Sequence, residues 1–170
     1  MVGLWGGDIF GAGGSSYYEV SEKAYIYSNT ADEWTQVADM ITPRERLMCG
    51  EVLTGDGSQQ EVIVAGGSGN TGTINPSPLD VVEIFSVRDG NWRLASPLPT
   101  PIVQATVVPL DNTFLILGGE DTEFSNLIYR YQLGDDTWEL LDAKLPKPAR
   151  GVAATMVNTT AMCTQTTRKL

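Results

Sequence analysis

The chain has 170 residues and a formal net charge of −10, from 21 acidic and 11 basic side chains. That charge excludes a phosphate backbone or an anionic membrane as a natural partner, because approach would cost repulsion instead of releasing counterions. The length suffices to bury about 70% of the unfolded surface, and 18 glycines and 9 prolines between short apolar runs favour an all-β protein with many turns.

Other function classes fall away on the same grounds. There is no histidine, which removes the commonest general base and metal ligand, and with it the Ser-His-Asp and Cys-His arrangements. The N-terminus, Met1-Val2-Gly3-Leu4-Trp5-Gly6-Gly7-Asp8, lacks the basic and apolar regions of a signal peptide, and no stretch approaches 18 apolar residues. The expectation is a cytoplasmic protein. Cys49 and Cys163 form no CxxC pattern, in keeping with a reduced compartment, and the sequon Asn158-Thr159-Thr160 would matter only on secretion.

In chain order, residues 1–42 begin with a glycine-rich segment that lacks a strand before Ile9, so the first unit is expected to start one strand late. Strands follow over 9–12 and 24–27, then a turn over 29–33 and a strand from Trp34. Thr30-Ala31-Asp32-Glu33 is also a capping box, and Trp34, Val37, Ala38 and Ile41 have helical spacing. The corresponding stretch Asp89-Gly90-Asn91-Trp92-Arg93-Leu94-Ala95-Ser96-Pro97 puts Gly and Pro where that helix would run, so a strand is expected in both places.

Residues 43–100 read as strands over 46–53, 61–65, 81–87 and 92–95, with a hairpin signal at Thr54-Gly55-Asp56-Gly57. The long connection 68–80, rich in Gly, Asn, Thr, Pro and Ser, is expected to be a mobile surface loop. Residues 101–146 repeat the plan with strands over 102–110, 114–117, 127–133 and 138–141. Residues 147–157 hold what reads as the first strand of a further unit, over 150–157, and 158–170 read as a frayed tail.

Three landmarks recur. Apolar runs end in glycine pairs at Gly13-Gly14, Gly66-Gly67 and Gly118-Gly119; an aromatic stands seven residues before a tryptophan at Tyr27 and Trp34, Phe85 and Trp92, Tyr131 and Trp138; a proline follows nine or ten residues later at Pro43, Pro101 and Pro148. The period is about 50 residues. In these motifs, from Ile9 to Val157, the chain resembles the kelch-repeat family. The resemblance implies a β-propeller fragment of about three four-stranded antiparallel blades, two complete and two partial ends.

Chemical motifs weigh little against this reading. Gly67-Ser68-Gly69-Asn70-Thr71-Gly72 matches GxGxxG after a strand, yet Ile74-Asn75-Pro76-Ser77-Pro78 forbids the helix that would face a pyrophosphate. Asp32-Glu33 and Asp135-Asp136 read as solvated turns, and Glu120-Asp121-Thr122-Glu123 lacks EF-hand spacing. No metal or cofactor is expected. The aromatic pairs read as blade packing, not as a stacking site.

In kelch adaptors that recruit substrates, the resemblance implies that arginines at the entrance to a blade's first strand line one mouth of the ring. Aligning Pro43-Arg44-Glu45-Arg46, Pro101-Ile102-Val103-Gln104 and Pro148-Ala149-Arg150 brings Arg46, Gln104 and Arg150 to that place, with Arg44 beside them. Guanidinium forks there suit an acidic peptide. The expected function is a non-enzymatic protein-interaction module of kelch type. The alternatives are a gene or splice fragment without independent function, and a kelch-type oxidase or epimerase, the oxidase disfavoured by the missing histidines. The free ends leave two alternatives: an open monomeric arc with exposed apolar edges, which ranks first, and a homodimer completing a six-bladed ring.

Overall fold

The computed structural model describes residues 1–4, 6–16, 19–54, 59–69, 77–110 and 112–154. It holds three four-stranded antiparallel sheets and one two-stranded excursion. The first sheet comprises β1 (Val2–Gly3), β2 (Ile9–Ala12), β3 (Ala24–Ser28) and β4 (Glu33–Gln36). β5 (Met48–Leu53) and β6 (Gln60–Ala65) open the second, β7 (Ser68–Gly69) and β8 (Ser77–Pro78) branch from it, and β9 (Val82–Ser86) and β10 (Asn91–Ala95) finish it. The third comprises β11 (Thr106–Leu110), β12 (Thr113–Leu117), β13 (Ile128–Gln132) and β14 (Thr137–Leu140). Strands pair in chain order within each sheet, β6 reaching β9 across the excursion, and the all-β expectation holds: the successive four-stranded antiparallel sheets are consistent with a kelch-like β-propeller fragment.

The repeat fixes the register. Tyr27 lies opposite Trp34, Phe85 opposite Trp92 and Tyr131 opposite Trp138 in the pairing of third and fourth strands. An aromatic and a tryptophan seven apart therefore meet as one cross-strand pair, with ring centroids 5.3, 5.1 and 4.9 Å apart.

One local expectation needs correction. A strand does precede Ile9: Val2 pairs with Phe10 and Gly3 with Ile9. Gly6 and Gly7 adopt positive φ, letting Leu4 N–H reach the Asp8 carbonyl and Gly7 N–H reach that of Leu4, which folds the segment back on itself and buries Leu4. The connection 68–80 is anchored at both described ends, since Ser68 and Gly69 are buried and pair with Pro78 and Ser77; 70–76 lie outside the described residues. So do 55–58 of the Thr54-Gly55-Asp56-Gly57 turn, residues 155–157 of the strand expected over 150–157, and the tail with Cys163. No strand is assigned to 150–154.

The helical spacing after Thr30 loses to the sheet because Asp32 has φ 56°, a left-handed residue that no helix could continue through. The preceding turn closes through Asp32 N–H to the Ser28 carbonyl, 2.8 Å.

The core lies between sheets. Leu4, Phe10, Ala24 and Met40 of the first unit pack on Val62, Val64 and Phe85 of the second. The opposite face of the second, with Met48, Ile63, Ala65 and Ile84, packs on Phe114, Ile116, Tyr129 and Tyr131 of the third. Residues 61–65 are consequently buried on both faces, whereas in β2 and β12 burial is less complete. Each fully buried Phe, such as Phe10, Phe85 or Phe114, contributes about 1.5–3 kcal/mol of transfer free energy.

The glycine pairs tie one sheet to the loop entering the next. Gly14, Gly67 and Gly119 donate to the carbonyls of Arg44, Ile102 and Ala149 at 2.9, 2.9 and 2.8 Å. The first glycine of each pair admits no side chain: a Cβ on Gly13, Gly66 or Gly118 would lie 2.5, 2.4 or 2.5 Å from those same carbonyl oxygens, and all three have positive φ.

Candidate interaction site

The loops leading into the first strands of the second and third sheets and the corresponding segment after the third sheet run side by side. Gln104 N–H donates to the Arg46 carbonyl at 3.2 Å, and Gly151 N–H donates to the Gln104 carbonyl at 2.8 Å. Arg46, Gln104 and Gly151 have φ of 53°, 53° and 64°, so they are one structural position seen three times. The expected grouping of Arg46 with Gln104 is thus present. Arg150 stands one residue off that register, at the place of Glu45 and Val103.

Arg46 is the freest of the candidates. Its side chain is 57% exposed and its Nε lies 3.6 Å from Glu45 Oε1, beyond hydrogen-bond reach. Arg150 is half exposed, pairs with Glu120, and sits over the Phe124 ring at 5.1 Å. Phe124 is itself 52% exposed. Glu45 also accepts the Ser15 hydroxyl. The two arginines are balanced locally by Glu45 and Glu120, so this end of the stack is a mixed-charge rim with an exposed aromatic ring.

Arg44 does not belong to that surface. Its side chain is wholly buried and ion-paired with Glu83, also wholly buried. Nη1 donates to the carbonyls of Gly66 at 3.2 Å and Val81 at 2.7 Å, while Glu83 accepts the backbone N–H groups of Ile41 at 2.6 Å and Thr42 at 3.0 Å. Burial pushes the Arg44 guanidinium below its ordinary range, against the pull of Glu83 in the other direction. Nε has no partner. Arg44 is a fastening between the first two sheets.

The turn acids have a structural role that the sequence reading missed. Asp136, at φ 51°, accepts the Tyr131 hydroxyl at 2.5 Å and the Ser96 N–H of the preceding linker at 2.8 Å. Burial pushes its carboxyl up, but these hydrogen bonds outweigh burial and hold it below the ordinary carboxylate range. Burial, and then Asp136, push the Tyr131 phenol well up. Asp32, at φ 56°, takes the Tyr27 hydroxyl at 2.6 Å in the same way. The available signal was an Asp or Gly two residues before each tryptophan, at Asp32, Gly90 and Asp136.

Trp92 and Trp138 are also fastenings: each indole donates to the preceding linker, at Ala38 O (2.7 Å) and Ser96 O (2.9 Å). Trp34 has no such acceptor among the described residues and is 51% exposed. No group of three Cys, Asp or Glu that could hold a metal ion occurs among the described residues, nor is any described helix long and apolar enough to cross a membrane.

No family model matches the chain. It is similar to mouse Kelch-like protein 35, at 27% identity over 156 residues, which covers 92% of this chain and 24% of that protein. The chain therefore spans about a quarter of the length of the relative it matches, and that relative points to a kelch-repeat relationship.

Proposed function

We propose that the chain is a non-enzymatic protein-interaction module whose partner docks on the loops carrying Arg46, Gln104 and Arg150. The observation that carries this is the string of backbone hydrogen bonds that holds three equivalent loops at one end of the stack, with Arg46 exposed and only loosely held by Glu45. Similarity to a kelch-like protein supports a binding role over a catalytic one.

The partner's contacting segment is acidic. A carboxylate can take a bidentate hold on Arg46 without first breaking a hydrogen bond, whereas at Arg150 it must displace Glu120. Arg46 consequently carries the larger share of recognition, and Phe124 offers an apolar contact beside Arg150. Affinity capture with mass spectrometry, comparing the wild type with Arg46→Ala and Arg150→Glu, tests the reading. Proteins lost from both variants are the expected result; an unchanged set would refute it.

A further inference from the structure

We propose that the open face of the first sheet is a docking surface for the third-sheet end of a second copy of this chain, an inference that uses the loop backbone at Arg46, Arg150 and Gly151 but does not rest on the partner reading above. Each junction inside the molecule uses the same connections. A tryptophan indole donates to the preceding linker, a left-handed loop residue donates to its counterpart in the preceding loop, and the loop residue before it makes a two-way backbone bridge beyond the next glycine pair: Glu45 with Ser68, Val103 with Glu120.

The first sheet holds one half of every connection. Among the described residues, Trp34 Nε1, the Arg46 N–H and the Ser15 backbone on the side corresponding to Ser68's bridge have no partner. Asp32 is posed like Asp136, which takes a linker N–H. Beside Trp34 lies a largely apolar recess of about 410 Å³, bordered also by Met1, Gly11, Ala12, Lys23 and Tyr25. At the next two junctions the position of Tyr25 is occupied by Glu83, covered by Arg44, and by Tyr129, in a core cluster with Ile102.

The other half stands at the far end of the same chain. Counting from the tryptophans, Asp142 takes the place of Ala38 and Ser96, so its carbonyl suits Trp34 and its N–H suits Asp32. The Gly151 carbonyl, unclaimed among the described residues, corresponds to those of Arg46 and Gln104 and suits the Arg46 N–H. Arg150 corresponds to Glu45 and Val103, the bridge partners, and suits Ser15. Continuing the register, Ala153 corresponds to Met48 and Thr106, which pair with Ala65 and Leu117. Their equivalent, Ala12, has no first-strand neighbour, because β1 reaches only Ile9 and Phe10. No strand of the first sheet touches one of the third, and the proposal pairs these halves between two copies. The contact is head-to-tail; formed twice it closes two chains into six blades with no free sheet face.

Sedimentation of the full chain at micromolar concentration, with Trp34→Glu and Ala153→Pro variants, tests the proposal. The wild type is expected at twice the mass of one chain. Each variant, with a cooperative melt as proof of folding, is expected at the mass of one. An equimolar mixture of the two is expected to regain the doubled mass through the single intact contact, Trp34→Glu supplying the third-sheet end and Ala153→Pro the first-sheet face. A monomeric wild type would overturn the proposal and leave the face to a blade of another chain. Variants that stay dimeric, or a mixture that stays monomeric, would overturn it equally.

Discussion

The guanidinium of Arg44, carried by the loop after the first sheet, closes on the carboxylate of Glu83 in the second, with both side chains wholly out of solvent. At the next junction the same two positions hold Ile102 and Tyr129, both buried in one apolar cluster. One repeat therefore solves the junction with charge and the next with apolar packing, in the same backbone frame.

Because a buried charge left without its partner is costly, Arg44→Ile alone is expected to lower stability by about 3–5 kcal/mol. Adding Glu83→Tyr copies the following junction and is expected to recover most of that loss. Denaturant unfolding of the two single variants and the double variant gives the cycle directly. Additive losses would show that the pair is uncoupled.

The three tryptophans are alike in sequence and unlike in energy. Trp92→Ala and Trp138→Ala each remove a ring packed within 6.0 Å of two other aromatics and an indole hydrogen bond, for an expected loss of about 3–5 kcal/mol. Trp34→Ala, at a ring 51% exposed, should cost about 1 kcal/mol or less when measured on the monomer. Equal losses at all three positions would contradict this.

Asp136 gives stability a defined pH dependence. Its folded-state carboxyl sits below the ordinary value, so its contribution is present above about pH 3.9 and is lost as pH falls through the depressed folded value. Asp136→Asn keeps a carbonyl acceptor and tolerates the left-handed backbone, but cannot titrate. The variant is expected to be less stable at neutral pH and to have a shallower acid limb than the wild type. Parallel limbs in thermal melts from pH 2 to 7 would exclude the carboxylate as the source.

What was legible in the sequence was whatever depends on backbone geometry repeated at a fixed spacing. The glycine pairs, the aromatic and tryptophan pairs and the central strands follow from φ requirements and cross-strand registry, which a repeat displays three times. Arg44 was illegible because arginine is ordinarily a surface residue, and its burial depends on Glu83, 39 positions away. Arg150 was aligned by its charge, whereas the position is defined by left-handed backbone; the matching residue is Gly151, three after Pro148 as Arg46 is three after Pro43. The strand Val2–Gly3 was hidden by glycines that make its turn.

Selection of peptides from an unbiased displayed library on the immobilised chain tests most directly the claim that the exposed loop arginines recognise an acidic segment. The account predicts sequences rich in Asp and Glu whose affinity falls as salt rises. It also predicts a loss of roughly tenfold or more, about 1.4 kcal/mol, in Arg46→Ala, with a smaller loss in Arg150→Glu. Apolar or basic sequences, or acidic ones that bind both variants as tightly as the wild type, would contradict it.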